Sequence, residues 1–312
     1  MTRIFDCFTF HNEIDLLRLR MSLLGSVVDK FIVAEATVTH TGEPRDLILT
    51  DALRHELGPQ LEVVVVADMP TGPDRWAREN HQRRALSRGL ERVGAREGDI
   101  IVLTDADEIP SPACVASLPC LLGSEPVELT MRYMQYKLNM EIARPWPLAR
   151  AVRVSSHPLD LQSIREETQL SKLSDAGWHF TYLGEGERIR RKLHDFAHAE
   201  LTGVFDTTWH VERCLRLHVD LLGRFPIRVV PRSHLPFEIA NYFDHRPELW
   251  ATELGQRDRM LAIAYRITTR YRSKLGARFC DEHPVLAFIP SSARLGWHKA
   301  AALTHAVWRG QP

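Results

Sequence analysis

The sequence has no net charge, no long apolar run and no pair of cysteines with metal-ligand spacing. Its 312 residues carry 40 Lys/Arg and 40 Asp/Glu, so global charge gives no argument for nucleic acid as a partner. No stretch is long and apolar enough to span a bilayer. The cysteines are odd in number and lack metal-ligand spacing, which indicates free thiols in a reducing compartment. They are Cys7, Cys114, Cys120, Cys214 and Cys280. Residues 1–6 lead directly into a strand-like pattern rather than a signal peptide, and we expect a cytoplasmic protein.

Several common fingerprints are also missing. No G-x-G-x-x-G follows the first apolar segment, which argues against a dinucleotide-binding fold. No G-x-x-x-x-G-K-S/T is present, which argues against a P-loop. No G-x-S-x-G elbow is present, which argues against an α/β-hydrolase. Internal repeats and low-complexity segments are absent from the sequence. An enzyme built on this chain therefore needs another kind of site.

Apolar segments alternate with amphipathic ones along the first part of the chain. Strands are predicted at residues 4–10, 30–35, 61–67 and 99–104. Helices are predicted at residues 12–24, with Asn12 as N-cap, and 78–93. Nearly continuous apolar strands alternating with helices predict an α/β fold whose mostly parallel central sheet is covered on both faces. Ligands bind such sheets in the crevice at the carboxyl ends of the strands.

The pattern changes after Pro112. Further strands are predicted at residues 127–134, 151–154 and 178–183, and a helix at 185–201. From Arg246 onward the chain has eleven Lys/Arg against five Asp/Glu, and residues 261–275 read as an amphipathic helix. We therefore divide the chain into a catalytic domain, residues 1–245, and a basic, mostly helical extension, residues 246–312. The extension is predicted to pack with its basic face in solvent; peripheral contact with an anionic membrane is the alternative.

The most informative motif lies at residues 100–110, where an apolar run ends in Asp105, Asp107 and Glu108. An isolated Asp-x-Asp is often only a solvated turn. Here it follows a predicted buried strand, where carboxylate oxygens can hold a hard divalent cation. Such a cation could bridge the two phosphates of a nucleotide-sugar donor, so the motif suggests a glycosyl transfer site.

Three further groups could contribute to a site. On the helix before the Asp-x-Asp strand, Arg78, Asn80 and Arg83 could face a nucleotide, or form a solvated face with Glu79 and Arg83 as an i, i+4 pair. His179 lies between two aromatic residues on a predicted strand. It is either a packed core histidine or a ligand of a metal or diphosphate.

The third group is a histidine pair. His194 and His198 share one helix face, as in zinc proteases, but Asp195 stands where such proteases have glutamate. A zinc hydrolase built on these two histidines is the alternative enzyme hypothesis.

Taken together, segments from about residue 3 to about residue 243 resemble glycosyltransferase family 17, which includes the transferase that adds bisecting GlcNAc. The matching segments are residues 4–13, 27–35, 39–44, 78–83, 104–110, 177–180 and 235–236. The resemblance implies a GT-A type, Rossmann-like fold and an inverting transfer. The basic C-terminal stretch lies outside it.

The resemblance also implies roles for individual residues. Asn12, Glu13 and Glu35 would lie at the nucleotide end of the crevice, together with Arg78, Asn80, Arg83 and Asp105. Asp105, Asp107 and His179 would hold Mn²⁺ or Mg²⁺. An inverting transfer needs a carboxylate that takes the acceptor proton. We favour Glu200 over Glu141 for this role.

We therefore expect a metal-dependent transferase that moves a sugar from a nucleotide-sugar donor to a hydroxyl of a glycan or glycolipid. The expected sugar is GlcNAc, and the expected donor is UDP-GlcNAc. No nucleic-acid partner is expected. The alternatives are the zinc hydrolase and an inactive glycan-binding protein of the same fold. The expected location is the cytoplasm, with the inner face of the membrane as a place of peripheral contact.

Overall fold

The structure, a computed structural model, describes residues 2–155, 159–195, 205 and 207–282. Its strands are β1 Ile4–Phe10, β2 Lys30–Ala36, β3 Leu61–Val66, β4 Ile100–Asp105, β5 Glu108–Pro110, β6 Val127–Gln135, β7 Met140–Ile142, β8 Trp146–Arg153, β9 Ser171–Leu173, β10 Gly177–Thr181 and β11 Ile227–Val229. Its α-helices are α1 Ile14–Leu24, α2 Asp51–Leu57, α3 Arg75–Arg84, α4 Leu86–Arg92, α5 Pro112–Leu121, α6 Leu161–Glu166, α7 Gly186–Asp195, α8 Thr208–Leu217, α9 Phe237–Tyr242 and α10 Gln256–Glu282.

The four apolar strands predicted from the sequence form the parallel part of the sheet, in the order β3, β2, β1, β4. Their register places Phe10 beside Glu35 and Thr9 beside Asp105, so the polar residues at the carboxyl ends of β2 and β4 flank the end of β1. The predicted α/β fold with a mostly parallel sheet is confirmed.

Beyond β4 the sheet continues with antiparallel pairs, β4 with β8 and β8 with β6. β10 lies alongside β6 in parallel and pairs with the short β5 in antiparallel register, with His179 opposite Glu108. These pairings place His179 next to the Asp-x-Asp turn, although His179 lies 72 residues after Asp107 in the sequence.

Helices cover both faces of the sheet, as the alternation of the sequence predicts. On one face Phe8 and Phe10 of β1 pack with Leu17 of α1 and Val115 of α5. On the other face the intervening residues of β1 pack against α4 and α6, for example Cys7 with Leu86. Apart from Asp6 and the residues at their carboxyl ends, β1 and β4 are apolar because both of their faces are buried.

Two predicted helix starts differ from the structure. α1 begins at Ile14, and Glu13 rather than Asn12 is the N-cap residue; the Glu13 carboxylate instead accepts hydrogen bonds from the backbone N–H groups of His11 and Asn12. The helix predicted at residues 78–93 starts earlier, at Arg75, after the Asp74 side-chain cap, and is divided at Ala85 into α3 and α4.

A buried arginine ties α1 to the end of β4. Arg20 is fully buried and donates to both carboxylate oxygens of Asp6, each at 2.6 Å. The same guanidinium donates to the backbone carbonyl of Asp105 at 3.1 Å and to that of Glu108 at 2.8 Å. A single charged group therefore holds the backbone on both sides of the Asp-x-Asp turn.

Gly177 allows β10 to approach β5. It has φ 150°, and a Cβ added there would lie 2.2 Å from the carbonyl oxygen of Ile109 and 2.7 Å from the Cα of Pro110. We expect Gly177→Ala to lower the free energy of unfolding by about 3 kcal/mol, because overpacking and a strained backbone conformation add. Urea unfolding measures the change. Gly123→Ala is the control, since nothing lies within 4 Å of an added Cβ there; equal effects of the two substitutions would contradict the expectation.

The predicted domain boundary at residues 245 and 246 stays a prediction. Just beyond it, Leu249 and Trp250 are buried with Leu16 and Phe180 in one apolar cluster. The helix expected at residues 261–275 is present within the longer α10, which packs on α8 through Tyr265. In the part of the chain that is described, no helix is long and apolar enough to cross a membrane.

Candidate functional site

A cavity of about 680 Å³ opens at the carboxyl ends of β1 and β4. Its wall carries the two aspartates of the Asp-x-Asp motif and several basic and aromatic side chains. Those that the following argument uses are Asp105, Asp107, Arg83, Arg165, Lys192, Tyr133, Trp146 and His179. The volume lies within the range of small-molecule sites.

Asp105 is held by two arginines. Its Oδ1 accepts from Arg83 Nη2 at 3.0 Å and from Thr9 Oγ1 at 3.2 Å, and its Oδ2 accepts from Arg165 Nη2 at 2.7 Å. Burial raises the pKa of the Asp105 carboxyl, but the guanidiniums of Arg165 and Arg83 outweigh burial and hold that pKa well below its usual range. Asp105 is therefore an anion with both oxygens engaged.

Asp107 is nearly buried and faces a lysine and a histidine. Lys192 of α7 donates to Oδ2 at 2.7 Å, and His179 Nε2 lies 3.5 Å from Oδ1. Burial raises the pKa of Asp107, but Lys192 and His179 lower it well below its usual range. Lys192 also donates to Glu13 Oε1 at 3.2 Å. Burial lowers the pKa of Lys192, but Asp107 and Glu13 raise it above its ordinary value, so the lysine remains a cation.

Glu108 supports the turn from beneath. Its fully buried carboxylate receives both ends of the Arg165 guanidinium, at 2.6 and 2.7 Å, and the indole N–H of Trp146 at 2.5 Å. The backbone N–H of Asp105 donates to the same carboxylate at 2.9 Å. Arg165 thus bridges Glu108 and Asp105, and it fixes the direction of the Asp105 side chain.

Aromatic rings surround His179 on one side of the cavity. Its imidazole stacks on Tyr133 with a centroid distance of 5.0 Å and lies 4.0 Å from Trp146. His179 is buried, and its Nδ1 has no hydrogen-bond partner among the described residues. A cluster of aromatic rings next to charged groups suits a ligand that combines rings with phosphates.

The nucleotide-site residues predicted from the sequence divide into two sets. Arg83, Asn80 and Glu13 line the cavity together with Asp105. Glu35, Arg78 and Asn12 are absent from its described lining. The Glu35 carboxylate accepts from the backbone N–H groups of Ile48 and Leu49, at 2.7 and 3.0 Å, so it holds a loop.

Arg78 and Asn12 also have local roles. Arg78 donates to the carbonyl of His40 at 2.9 Å and to that of Gly72. Asn12 lines a separate pocket at the start of α1.

The two glutamates considered as catalytic base have different outcomes. Glu200 lies outside the described residues, and its role stays a prediction. Glu141 lies on β7, where its carboxylate accepts from Arg132 at 2.9 Å and from Arg228 at 2.6 Å. Burial raises the pKa of Glu141, but these arginines lower it overall, which does not suit a base. Of the histidine pair, His194 lies in α7 by its backbone and His198 lies outside the described residues.

The predicted metal ligands are close together but do not form a complete site. Among the residues that the structure describes, no group of three His, Cys, Asp or Glu is placed to hold a metal ion. Asp105 has both oxygens bound by arginines, whereas Asp107 Oδ1 and the His179 imidazole offer an oxygen and a nitrogen side by side. Asp107 and His179 fit a divalent cation as two protein ligands, because Mg²⁺ sites in phosphate chemistry often use one or two carboxylates plus substrate phosphates.

The sequence interpretation missed Arg165, Lys192 and Trp146. Arg165 follows Gln162 at i+3 on a short helix capped by Asp160, and both contact the site from one face. Lys192 lies on α7 next to the buried Leu193 and three residues after the buried Ile189. Helical periodicity could have placed both on inward faces, but only the tertiary structure shows what they meet.

Comparisons with known proteins identify the family of this chain. The family model of glycosyltransferase family 17 matches residues 1–216, which is well over half of the chain. This span includes the Asp-x-Asp turn. The chain belongs to glycosyltransferase family 17. The matched span includes every predicted site residue of this family member, and its α/β architecture is the one expected of the GT-A type.

Two curated relatives carry the name beta-1,4-mannosyl-glycoprotein 4-beta-N-acetylglucosaminyltransferase. They come from Rattus norvegicus and Homo sapiens, and each is 33% identical over 143 residues. The alignment covers 43% of this family 17 chain and 27% of each relative, so the chain spans about a quarter of the length of the relatives it matches. The crystal structure of S. aureus TarS 1-349 aligns over 87% of this chain and 82% of that chain, at 12% identity and a TM-score of 0.33, a likeness too low to inform function.

Proposed function

We propose that this chain transfers a sugar from a nucleotide-sugar donor to a hydroxyl of a glycan or glycolipid. UDP-GlcNAc is the proposed donor, since the relatives' name specifies N-acetylglucosamine transfer. The observation that carries the proposal is the cavity at the ends of β1 and β4, where Asp105 and Asp107 meet Arg83, Arg165 and Lys192 beside a cluster of aromatic rings. Cations suit a diphosphate, and rings suit a base or a sugar face.

The proposed cofactor is a divalent cation. Asp107 Oδ1 and His179 Nε2 lie 3.5 Å apart at the cavity wall, next to cationic side chains that suit a diphosphate. Asp107 and His179 are the proposed protein ligands, and the ion would stabilise the charge of the departing diphosphate as a Lewis acid.

The protein's own residues have separate proposed roles in transfer. Arg83 and Arg165 orient Asp105 and present guanidinium N–H groups at the cavity wall. Lys192 orients Asp107 and presents its ammonium group there. We propose inversion, in which the acceptor oxygen forms a bond to the anomeric carbon as the bond to the diphosphate breaks. The proton of the acceptor hydroxyl would pass to a carboxylate, for which Glu200 stays the candidate. The cytoplasmic location also stays a prediction.

Donor turnover tests the proposal. The purified chain is incubated with UDP-GlcNAc, UDP-glucose or GDP-mannose, with and without a β-mannoside as the first acceptor, and release of the nucleoside diphosphate is measured. We expect UDP-GlcNAc to be used at least about tenfold faster than the other donors, a ratio that corresponds to about 1.4 kcal/mol of differential transition-state binding. Absence of turnover with every donor would favour the inactive glycan-binding protein.

Metal removal gives a separate prediction. We expect EDTA to lower the rate by at least about a hundredfold, and added Mn²⁺ or Mg²⁺ to restore it, because the cation would stabilise the charge of the departing diphosphate. If the protein keeps one equivalent of bound zinc and its full activity after EDTA treatment, the result would contradict this assignment and favour a zinc site. A thermal-shift series of UDP with and without Mn²⁺ provides the control, since a donor fragment that needs the cation should stabilise the fold only with it.

A further inference from the structure

One face of α10 carries large apolar side chains in solvent. Within the part of the chain that the structure describes, Met260 is 66% exposed, Ile263 50%, Ile267 61% and Tyr271 67%. Their spacings of three, four and four residues place them on one stripe of the helix. Single exposed apolar residues are common, but a contiguous apolar stripe marks an interaction surface. We call these four residues the apolar stripe.

The orientation of α10 is fixed by its opposite face. Tyr265 is buried, and its hydroxyl and His210 Nδ1 of α8 form a hydrogen bond of 2.8 Å. Thr269, one turn further on, is also buried. Because residues 265 and 269 pack inward, the apolar stripe on the other side of the helix points away from the domain.

Basic residues lie along the edges of the stripe. At 100° per residue, exposed Arg257 lies on one side of it. Exposed Arg270 lies on the other side, as does exposed Arg259, whose guanidinium pairs with Glu253 at 2.5 Å. Between residues 256 and 275 the sequence has six Lys/Arg and one aspartate. An apolar stripe with cationic edges is the pattern of a helix that lies in the surface of an anionic bilayer. A second copy of this helix would bring like charges together.

We propose that α10 docks this domain on an anionic lipid surface, with the apolar stripe entering the acyl boundary and the flanking arginines meeting lipid phosphates. The inference goes beyond the proposed transferase activity and does not depend on it. It replaces the expectation of a basic face in solvent with a specific apolar contact.

Vesicle binding tests the proposal. The full chain is sedimented with vesicles of phosphatidylcholine containing about 30% phosphatidylglycerol, and with pure phosphatidylcholine vesicles. We expect binding to the anionic vesicles and at least about tenfold weaker binding to the neutral ones. The double variant Ile263→Gln/Ile267→Gln should lose at least about tenfold in affinity for anionic vesicles, because apolar burial supplies part of the attraction. Thr268→Gln, an exposed neighbour outside the stripe, should bind like the unchanged chain.

Three results would overturn the proposal. They are no binding to anionic vesicles, equal binding by the double variant and the unchanged chain, and a dimer in light scattering without lipid that the double variant abolishes. The last result would assign the stripe to self-association. Donor turnover in solution, measured on the same samples, should be unchanged by Ile263→Gln/Ile267→Gln, so failure of membrane binding is distinguishable from failure of the proposed activity.

Discussion

Asp107→Asn should lower kcat/KM for sugar transfer by about a thousandfold while the protein stays folded. The substitution keeps the shape of the side chain but removes the charge that faces His179 Nε2 at 3.5 Å and Lys192 at 2.7 Å. It removes the only carboxylate among the proposed ligands and reduces the affinity for the cation. Loss of one group that stabilises transition-state charge costs about a hundredfold to a thousandfold, and loss of metal adds to this. Initial rates of UDP release at saturating Mn²⁺ measure the effect.

Two controls separate this effect from a general loss of structure. Asp244→Asn makes the same change at an exposed aspartate that pairs with Arg232 on the surface, and it should leave the rate within about twofold, because exposed ion pairs contribute little. The melting temperature of Asp107→Asn should fall, because Lys192 loses one of its two carboxylate partners, but the variant should remain folded at the assay temperature. If the folded variant keeps more than about a third of the activity, Asp107 does not have the proposed role.

Arg20→Met should lower the free energy of unfolding by about 3–5 kcal/mol, the cost of leaving a buried carboxylate without its partner. Asp6 is fully buried and receives both hydrogen bonds of its ion pair from Arg20. The same substitution removes the donors that hold the carbonyls of Asp105 and Glu108, so the Asp-x-Asp turn loses its support from beneath. Urea unfolding followed by tryptophan fluorescence measures the loss of stability.

A double variant shows whether the buried charge is the cause. Asp6→Asn/Arg20→Met should be more stable than Arg20→Met alone, because the second substitution removes the unpaired charge. Arg18→Met, which breaks an exposed pair with Glu56, should cost less than about 1 kcal/mol. If Arg20→Met and Arg18→Met destabilise the protein equally, the buried Arg20–Asp6 pair does not contribute the proposed stability.

Much of the sheet follows from the sequence because its strands are apolar on both faces. Residues 4–10, 30–36, 61–66 and 100–105 stand out as short, mostly apolar runs, and the polar Glu35 and Asp105 mark the carboxyl ends of β2 and β4. The division of α3 from α4 at Ala85 has no strong local signal. Next to it, Gly89 packs so closely on Ile32 and Val64 that a Cβ there would lie 2.4 Å from Ile32. Tertiary packing of this kind is not visible in helical periodicity.

The candidate site could be predicted only in part, for the same reason. Asp105 and Asp107 follow a strand, and a strand end is recognisable locally. Arg165 is 57 residues from Glu108 and Lys192 is 85 residues from Asp107, so their pairing depends on how α6 and α7 pack on the sheet. Glu35 shows that a residue can be placed correctly from the sequence while its contacts cannot. Its place at a strand end was predicted correctly, but its carboxylate bonds to loop amides that no sequence pattern identified.

A crystal structure of the chain with UDP and Mn²⁺ tests the central claim most directly, because it locates the donor site itself. The account predicts a diphosphate in the cavity at the ends of β1 and β4, within hydrogen-bond distance of Arg165 or Lys192, with Mn²⁺ bound by Asp107. UDP bound elsewhere, for example in the cavity lined by Lys137 and Trp209, would contradict the account. So would a diphosphate whose Mn²⁺ contacts neither Asp107 nor His179.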